Sequence, residues 1–299
     1  MRMRVFGSSR VLGLGQAVVF VLALLVAALL PASASAAPSF APADQATVHP
    51  GVVTGTEGGG ECTSNFVFTN GTDVFLGQAA HCAGTGAPTE FNGCTSQSLP
   101  LGTPVTVEGA SRPGTLAYSS WLAMQAKPET DPNACMFNDF ALVQLDPADV
   151  AGTNPSVPFF GGPTDIDTDG TDAGEDVYSY GNSPLRMGVL SQKQGTSFGT
   201  GGGGWTHLVL TPVTPGIPGD SGSGFLTEEG SAFGVLSTVT LVGLLPGSNG
   251  VSDLNLALRY ANDHGNLGTL SLVPGTEPFE ASGAGQASGA GALGGLLPF

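Results

Sequence analysis

Three short stretches carry residues able to act together on a carbonyl. GQAAHC places His81 beside Cys82, NDFALVQL places Asp139 at a strand start, and PGIPGDSGSG places Ser221 between glycines. A serine hydroxyl is too weakly acidic to attack a carbonyl unaided and needs a base within hydrogen-bond reach. An imidazole titrating near neutrality meets that need. The imidazole in turn needs a carboxylate to fix its tautomer and stabilise its charged form. Gly219 lets its own N–H and that of Ser221 converge as an anion hole, and losing one such donor costs about 2.7–4 kcal/mol of transition-state stabilisation. Taken one at a time, each motif has a plainer reading: a structural histidine at a strand end, an aspartate in a turn or cap, a GDSG β-turn. His49, His207 and His264 fall in a lead-in, a strand and a helix end, and are read as structural or solvent-facing.

The elements that must position these groups are strands. The 299 residues include 47 Gly and 22 Pro, a mix that disfavours long helices and suits short strands joined by turns. Phe66–Phe68 and Val74–Leu76 flank Asn70-Gly71, a strong hairpin signal, so His81 lies just past a hairpin strand. Strands are predicted at Thr103–Gly109, Phe140–Leu145, Val177, Gly188–Gln192, Thr206–Thr211 and Phe233–Val242. The Gly-, Pro- and Asp-rich stretch at about 147–175 divides two halves, and 37–52 reads as a lead-in. Asp253–His264 is predicted as a helix with Leu254, Leu258 and Ala261 on one face. Residues 271–299 read as a disordered Gly/Ala-rich tail.

Residues 1–36 have the form of a secretion signal: three arginines, an apolar run of 14 from Ala17 to Leu30, then PASASAA. That run is shorter than the roughly 20 residues a membrane-spanning helix needs. Without the signal, five basic residues face 24 acids, a net charge of −19. Such a surface repels nucleic acid and anionic lipid, so neither is expected as a partner, while protein or peptide substrates are. Cys62, Cys82, Cys94 and Cys135 read as two disulfides with three possible pairings. Sequential pairing closes two short loops, each restricting the unfolded chain by about 3–4 kcal/mol. No cysteine or histidine spacing suits zinc.

AAHC (Ala79–Cys82), NDFALV (Asn138–Val143), GDSGS (Gly219–Ser223) and GVLS (Gly234–Ser237), in that order, resemble the chymotrypsin/trypsin-like serine proteases, bacterial secreted type. The resemblance covers roughly residues 53–265, within a domain expected at 53–270. It implies an all-β fold of two six-stranded antiparallel β-barrels with a short C-terminal helix and the site between the barrels. It implies His81 as general base, Asp139 as orienting carboxylate, Ser221 as nucleophile, Gly219 and Ser221 amides as oxyanion hole, and Ser237 as a hydrogen-bond donor to Asp139. It also implies a Cys62–Cys82 bridge bracing the histidine loop. The expected activity is that of a secreted serine endopeptidase without zinc, nucleotide or organic cofactor.

Several positions depart from the family pattern. Ser223 replaces a common Gly, and the activation junction whose freed N-terminus would pair with Asp220 is missing. A buried carboxylate needs a partner, and Arg186 is a candidate; Ser179 stands where some relatives carry an internal arginine. Pro215 falls at the pocket base, and no Asp or Glu occurs between Val177 and Asp220, which argues against preference for Lys or Arg. Thr238 and Val239 narrow the expected pocket, pointing to small or medium apolar side chains. Asp165, Asp167, Asp169 and Asp176 have the spacing of a calcium loop around Gly170, with a solvated acidic linker as the competing reading. Two rival functions are a silent extracellular binding homologue and an esterase using the same triad.

Overall fold

The computed structural model describes Met1 and residues 37–87, 89–239 and 247–282. Residues 2–36, which hold nearly all of the expected secretion signal, and 283–299 of the expected Gly/Ala-rich tail lie outside the described residues. No described helix is long and apolar enough to cross a membrane.

The first half is an antiparallel sheet built on the expected hairpin. β3 (Val67–Thr69) and β4 (Val74–Gln78) pair in the register Val67–Leu76, Phe68–Phe75 and Thr69–Val74. Asn70 Oδ1 accepts the Thr72 and Asp73 N–H groups and so closes the turn. β4 is buried along its whole length because β3 and β7 (Ala141–Gln144) pair on its two sides. β6 (Gly114–Ser119), β5 (Pro104–Val107), β1 (Val53–Thr56) and β2 (Glu61–Thr63) continue the sheet outward. Phe66, Phe68, Phe75, Phe140 and Tyr118 fill its core, with the Phe68 and Phe140 rings edge-on at 5.5 Å.

Of the two barrels expected, closure is not seen in this first sheet. β14 (Ser271–Leu272) pairs with the outer edge of β3, so that edge is not open to β2, and the eight strands run from β14 to β2 without closing. The same contact corrects the tail boundary. Residues 271–282 stay on the domain: Val273 N–H donates to Val67 O, Glu280 N–H to Phe160 O, and the Phe279 ring lies 5.5 Å from Tyr178.

The second half does close. β8 (Ala173–Tyr180), β9 (Gln192–Gly201), β10 (Thr206–Leu210), β11 (Gly224–Leu226), β12 (Ala232–Val239) and β13 (Ser248–Asp253) form a barrel in the order β10-β13-β12-β11-β8-β9. Val177, Val209, Phe225, Phe233, Leu236 and Val251 fill it. The strand expected at Gly188–Gln192 begins only at Gln192. Met187 and Leu190 adopt left-handed backbone (φ 50° and 57°), which ends any extended run before it.

Short helices join the strands. α1 (Ser120–Ala126) buries Trp121 and Met124, and α2 (Pro132–Phe137) is capped by Asp131, whose carboxylate accepts the Asn133 N–H. α3 (Leu254–His264) is capped by Asp253 and buries Leu254, Leu258 and Ala261, as its spacing predicts. The disulfides are Cys62–Cys82 and Cys94–Cys135, the sequential pairing.

Candidate active site

His81 sits in a one-turn 3-10 segment, Ala80–Ala83, directly after the buried strand β4. Its neighbour Cys82 is tied to Cys62 in β2, so the turn is anchored on both sides. Asp139 lies between α2 and β7, in a backbone gripped from three directions. Ser120 Oγ donates to Asn138 O and accepts the Phe140 N–H, and Ser252 Oγ in β13 donates to Phe137 O. Nothing in the sequence marks Ser120 or Ser252, because serines at strand and helix ends are common without such a task.

Those anchors bring the His and Asp side chains together. His81 Nδ1 is 2.6 Å from Asp139 Oδ2, the His81 backbone N–H donates to Oδ1 at 2.9 Å, and Ser237 Oγ donates to Oδ2 at 2.6 Å. The carboxylate can only accept, so Nδ1 carries the proton and Nε2 is left as the basic nitrogen. Burial works against the charged imidazole, but the charge and hydrogen bond of Asp139 outweigh it, so the His81 pKa is raised above its ordinary value. Burial likewise opposes the Asp139 charge. The His81 ring and the hydrogen bonds from Ser237 and the His81 N–H reverse that and hold the carboxyl below its usual range.

Ser221 and His81 line one cleft of about 670 Å³. Among the described residues no hydrogen bond joins Ser221 Oγ to the ring; resting sites of this type commonly tighten only on binding substrate. The serine follows a tight turn in which the Asp220 N–H donates to Ile217 O at 2.9 Å and Gly219 has φ +94°. A side chain at Gly219 would be strained by that φ and would come within 2.7 Å of Ser183 Oγ. Neither the Gly219 nor the Ser221 N–H is taken by a hydrogen bond among the described residues.

Asp220, fully buried, is held by two cations. Arg186 Nε lies 3.1 and 3.0 Å from its two oxygens, and a second guanidinium nitrogen also reaches Oδ2. Lys193 Nζ, itself fully buried, approaches Oδ2 at 3.3 Å as an ion pair without the alignment of a good hydrogen bond. The Ser183 and Ile217 N–H groups complete the shell. Burial alone would raise the Asp220 pKa, but Arg186 and Lys193 lower it on balance. Desolvation pushes Lys193 down to about 8 despite Asp220. Arg186, one candidate for a partner that the sequence leaves open, is thus one of the two cations on Asp220. Ser179 lies buried in β8 beside Phe225 and takes no part. Lys193 was not read from the sequence at all.

Thr238 and Val239 line the cleft, together with Leu236, Ile217 and Trp121. Pro215 does not: its carbonyl accepts from Arg186 at 2.6 Å, and Gly216 to Pro218 line the cleft instead. The four aspartates with calcium-loop spacing fall on separate pieces of backbone. Asp176 lies in β8 opposite Thr196, the backbone at Asp165 and Asp167 is bonded to Ala232, and the Asp169 N–H donates to Asp167 Oδ1. Among the described residues only Cys62, His81 and Cys82 bring three possible metal ligands together, and both cysteines are in a disulfide. His207 is buried between Thr171 Oγ1 and Asp253, within the second barrel. His49 approaches its neighbour's carbonyl, and His264 stacks on Tyr260.

No protein-family model matches the chain, and no curated protein does. Solved structures of similar fold are bacterial serine proteases of the chymotrypsin-like kind. Thermobifida fusca Protease A is 21% identical, with 77% of this chain and 100% of that one covered and a TM-score of 0.49. A glutamic acid specific serine protease is 17% identical, covers 76% and 100%, and has a TM-score of 0.46. Nocardiopsis Protease is 17% identical, covers 75% and 98%, and has a TM-score of 0.43. At such identities and scores the likeness decides nothing about the site, which stands on its own geometry.

Proposed function

We propose that the chain is a secreted serine endopeptidase that cleaves peptide bonds through His81, Asp139 and Ser221, after small or medium apolar residues. The observation that supports this most is the Asp139 carboxylate. It accepts from the His81 ring, the His81 backbone and Ser237 at once, and leaves Nε2 basic in a cleft that Ser221 also lines.

In this reading Nε2 takes the Ser221 proton as Oγ attacks the scissile carbonyl carbon. The carbonyl oxygen becomes an oxyanion facing the Gly219 and Ser221 N–H groups. His81 passes its proton to the leaving amine as the C–N bond breaks, which leaves an ester on Ser221. Water, deprotonated by Nε2, attacks that ester, releases the acid and returns the proton to Ser221. Leu236, Val239 and Ile217 give the cleft an apolar lining, and among the described residues no Lys or Arg lines it. The one acid along it, Glu90, is exposed and lies in the segment after His81 rather than beside Ser221 in sequence.

A fluorophosphonate label with casein digestion tests the proposal. The protein should be labelled at Ser221 and should digest casein, and Ser221→Ala and His81→Ala should do neither. A folded protein that takes no label would be a silent homologue, and one that turns over short esters but never casein would be an esterase. Either result overturns the endopeptidase.

A further inference from the structure

Resting on the hydrolase reading above, we propose that Ser183 is a positioning residue for the oxyanion hole. Its hydroxyl pins the Pro218 carbonyl and thereby keeps the Gly219 N–H aimed at the developing oxyanion.

The turn Ile217–Asp220 has its closing hydrogen bond at 2.9 Å, proline at its second position and glycine at its third with φ +94°. That is a type II turn. A type I turn shares its ends and its hydrogen bond and also accepts proline at the second position, but there the central peptide plane is turned over. Glycine adopts both signs of φ, so nothing in Gly219 itself bars the exchange. The peptide is planar and trans, so its C=O and N–H point in opposite directions and swap places on flipping. Only one state offers the Gly219 N–H to an oxyanion; the other presents the Pro218 oxygen there and repels it.

Ser183 selects the first state. Its Oγ donates to Pro218 O at 2.6 Å. The same oxygen accepts the Leu185 N–H at 3.2 Å, and the Ser183 N–H donates to Asp220 Oδ1 at 3.1 Å. One acceptor site on the hydroxyl is therefore occupied, and its single proton is committed to Pro218. The residue is 1% exposed, so water does not compete freely for that carbonyl's partner. The next peptide is pinned in the same way from the first sheet, where Thr63 Oγ1 donates to Gly219 O at 2.8 Å. The two hydroxyls hold the carbonyls on either side of Gly219 and leave its N–H free.

The test compares wild type with Ser183→Ala. Turnover of a peptide substrate, and affinity for a peptidyl aldehyde that forms an anionic adduct on Ser221, are set against affinity for a product-like peptide of the same sequence. The expected result is a fall in kcat of about tenfold to a hundredfold, part of what losing a whole oxyanion donor costs. KM should stay within about twofold, and aldehyde affinity should fall by the same factor as kcat while product affinity holds. A folded Ser183→Ala with unchanged kcat and aldehyde affinity overturns the proposal. So does a variant in which aldehyde and product affinities fall together, since that marks general damage. Should wild type itself neither label nor turn over, the hydrolase reading is what fails. Crystal structures of the two proteins then judge the pinning alone: a Pro218–Gly219 peptide in both orientations in Ser183→Ala upholds it, and one unchanged orientation overturns it.

Discussion

Each side of the cleft buries an aspartate, and the two are held in opposite ways. Asp139, on the first-sheet side, is partnered by an imidazole that gains and loses a proton near neutral pH. Asp220, beside Ser221, is partnered by a guanidinium that never gives up its proton and by a buried ammonium. In the proposed mechanism the two carboxylates have different tasks. A carboxylate that serves a proton cycle needs a partner whose charge comes and goes, and it is kept ionised in the meantime by neutral donors such as Ser237. A carboxylate that props a turn needs a charge that stays.

Asp139→Asn should break the first arrangement with the largest effect. It removes the acceptor that fixes the His81 tautomer, and kcat should fall by about 10⁴ with little loss of melting temperature. Its pH profile sharpens the point. The proposed mechanism needs neutral His81, whose pKa is raised, so the acid limb should lie above the ordinary imidazole value of 6.5. Without the carboxylate only burial remains to act on the ring, and the residual labelling rate of Asp139→Asn should show its limb below 6.5.

Arg186→Met should do less to chemistry and more to stability. It strips Asp220 of its guanidinium and leaves the Leu190 and Pro215 carbonyls without their donor. Breaking a buried pair from one side costs about 3–5 kcal/mol, which urea unfolding would read directly. An unfolding free energy within 1 kcal/mol or so of wild type would mean that Arg186 is not the strut.

The smallest effect belongs to Lys193→Met, and its sign is the informative part. Burial holds Lys193 at about 8, below its ordinary 10.5. Between those values the unfolded chain binds the extra proton, so wild-type stability rises with pH across that window. Lys193→Met leaves Asp220 paired with Arg186 and removes the desolvated charge. It should therefore melt no lower than wild type at pH 7, with the gap between the two closing as pH rises toward 10.5. A wild type that is more stable than Lys193→Met at pH 7, and keeps that lead up to 10.5, would show that the ammonium stabilises the fold.

What was legible in the sequence follows the same divide. The Asn70-Gly71 hairpin, the capped helix at Leu254–His264 and the His81, Asp139 and Ser221 motifs are local signals, and each appears where its neighbours in sequence place it. The supports around Asp220 are not local. Along β9 the inward positions are Lys193, Gly195 and Ser197, so a hydrophobicity pattern turns the strand inside out and sends the lysine to solvent. Gly181 gives no sign that its missing side chain is what admits Lys193, although a Cβ there would sit 1.8 Å from Nζ. β14 escapes notice for a simpler reason: two residues carry no periodicity, and their pairing with β3 spans about two hundred positions.

That late strand ties the ends of the fold together. β3 forms its hairpin early in the chain, yet its outer row of backbone groups finds partners only after the whole second barrel has been traversed. A nascent polypeptide released just past α3 would carry the His–Asp half with an unprotected flank open to another copy's backbone. Truncating before Ser271 should therefore show itself first as self-association, ahead of any change in chemistry.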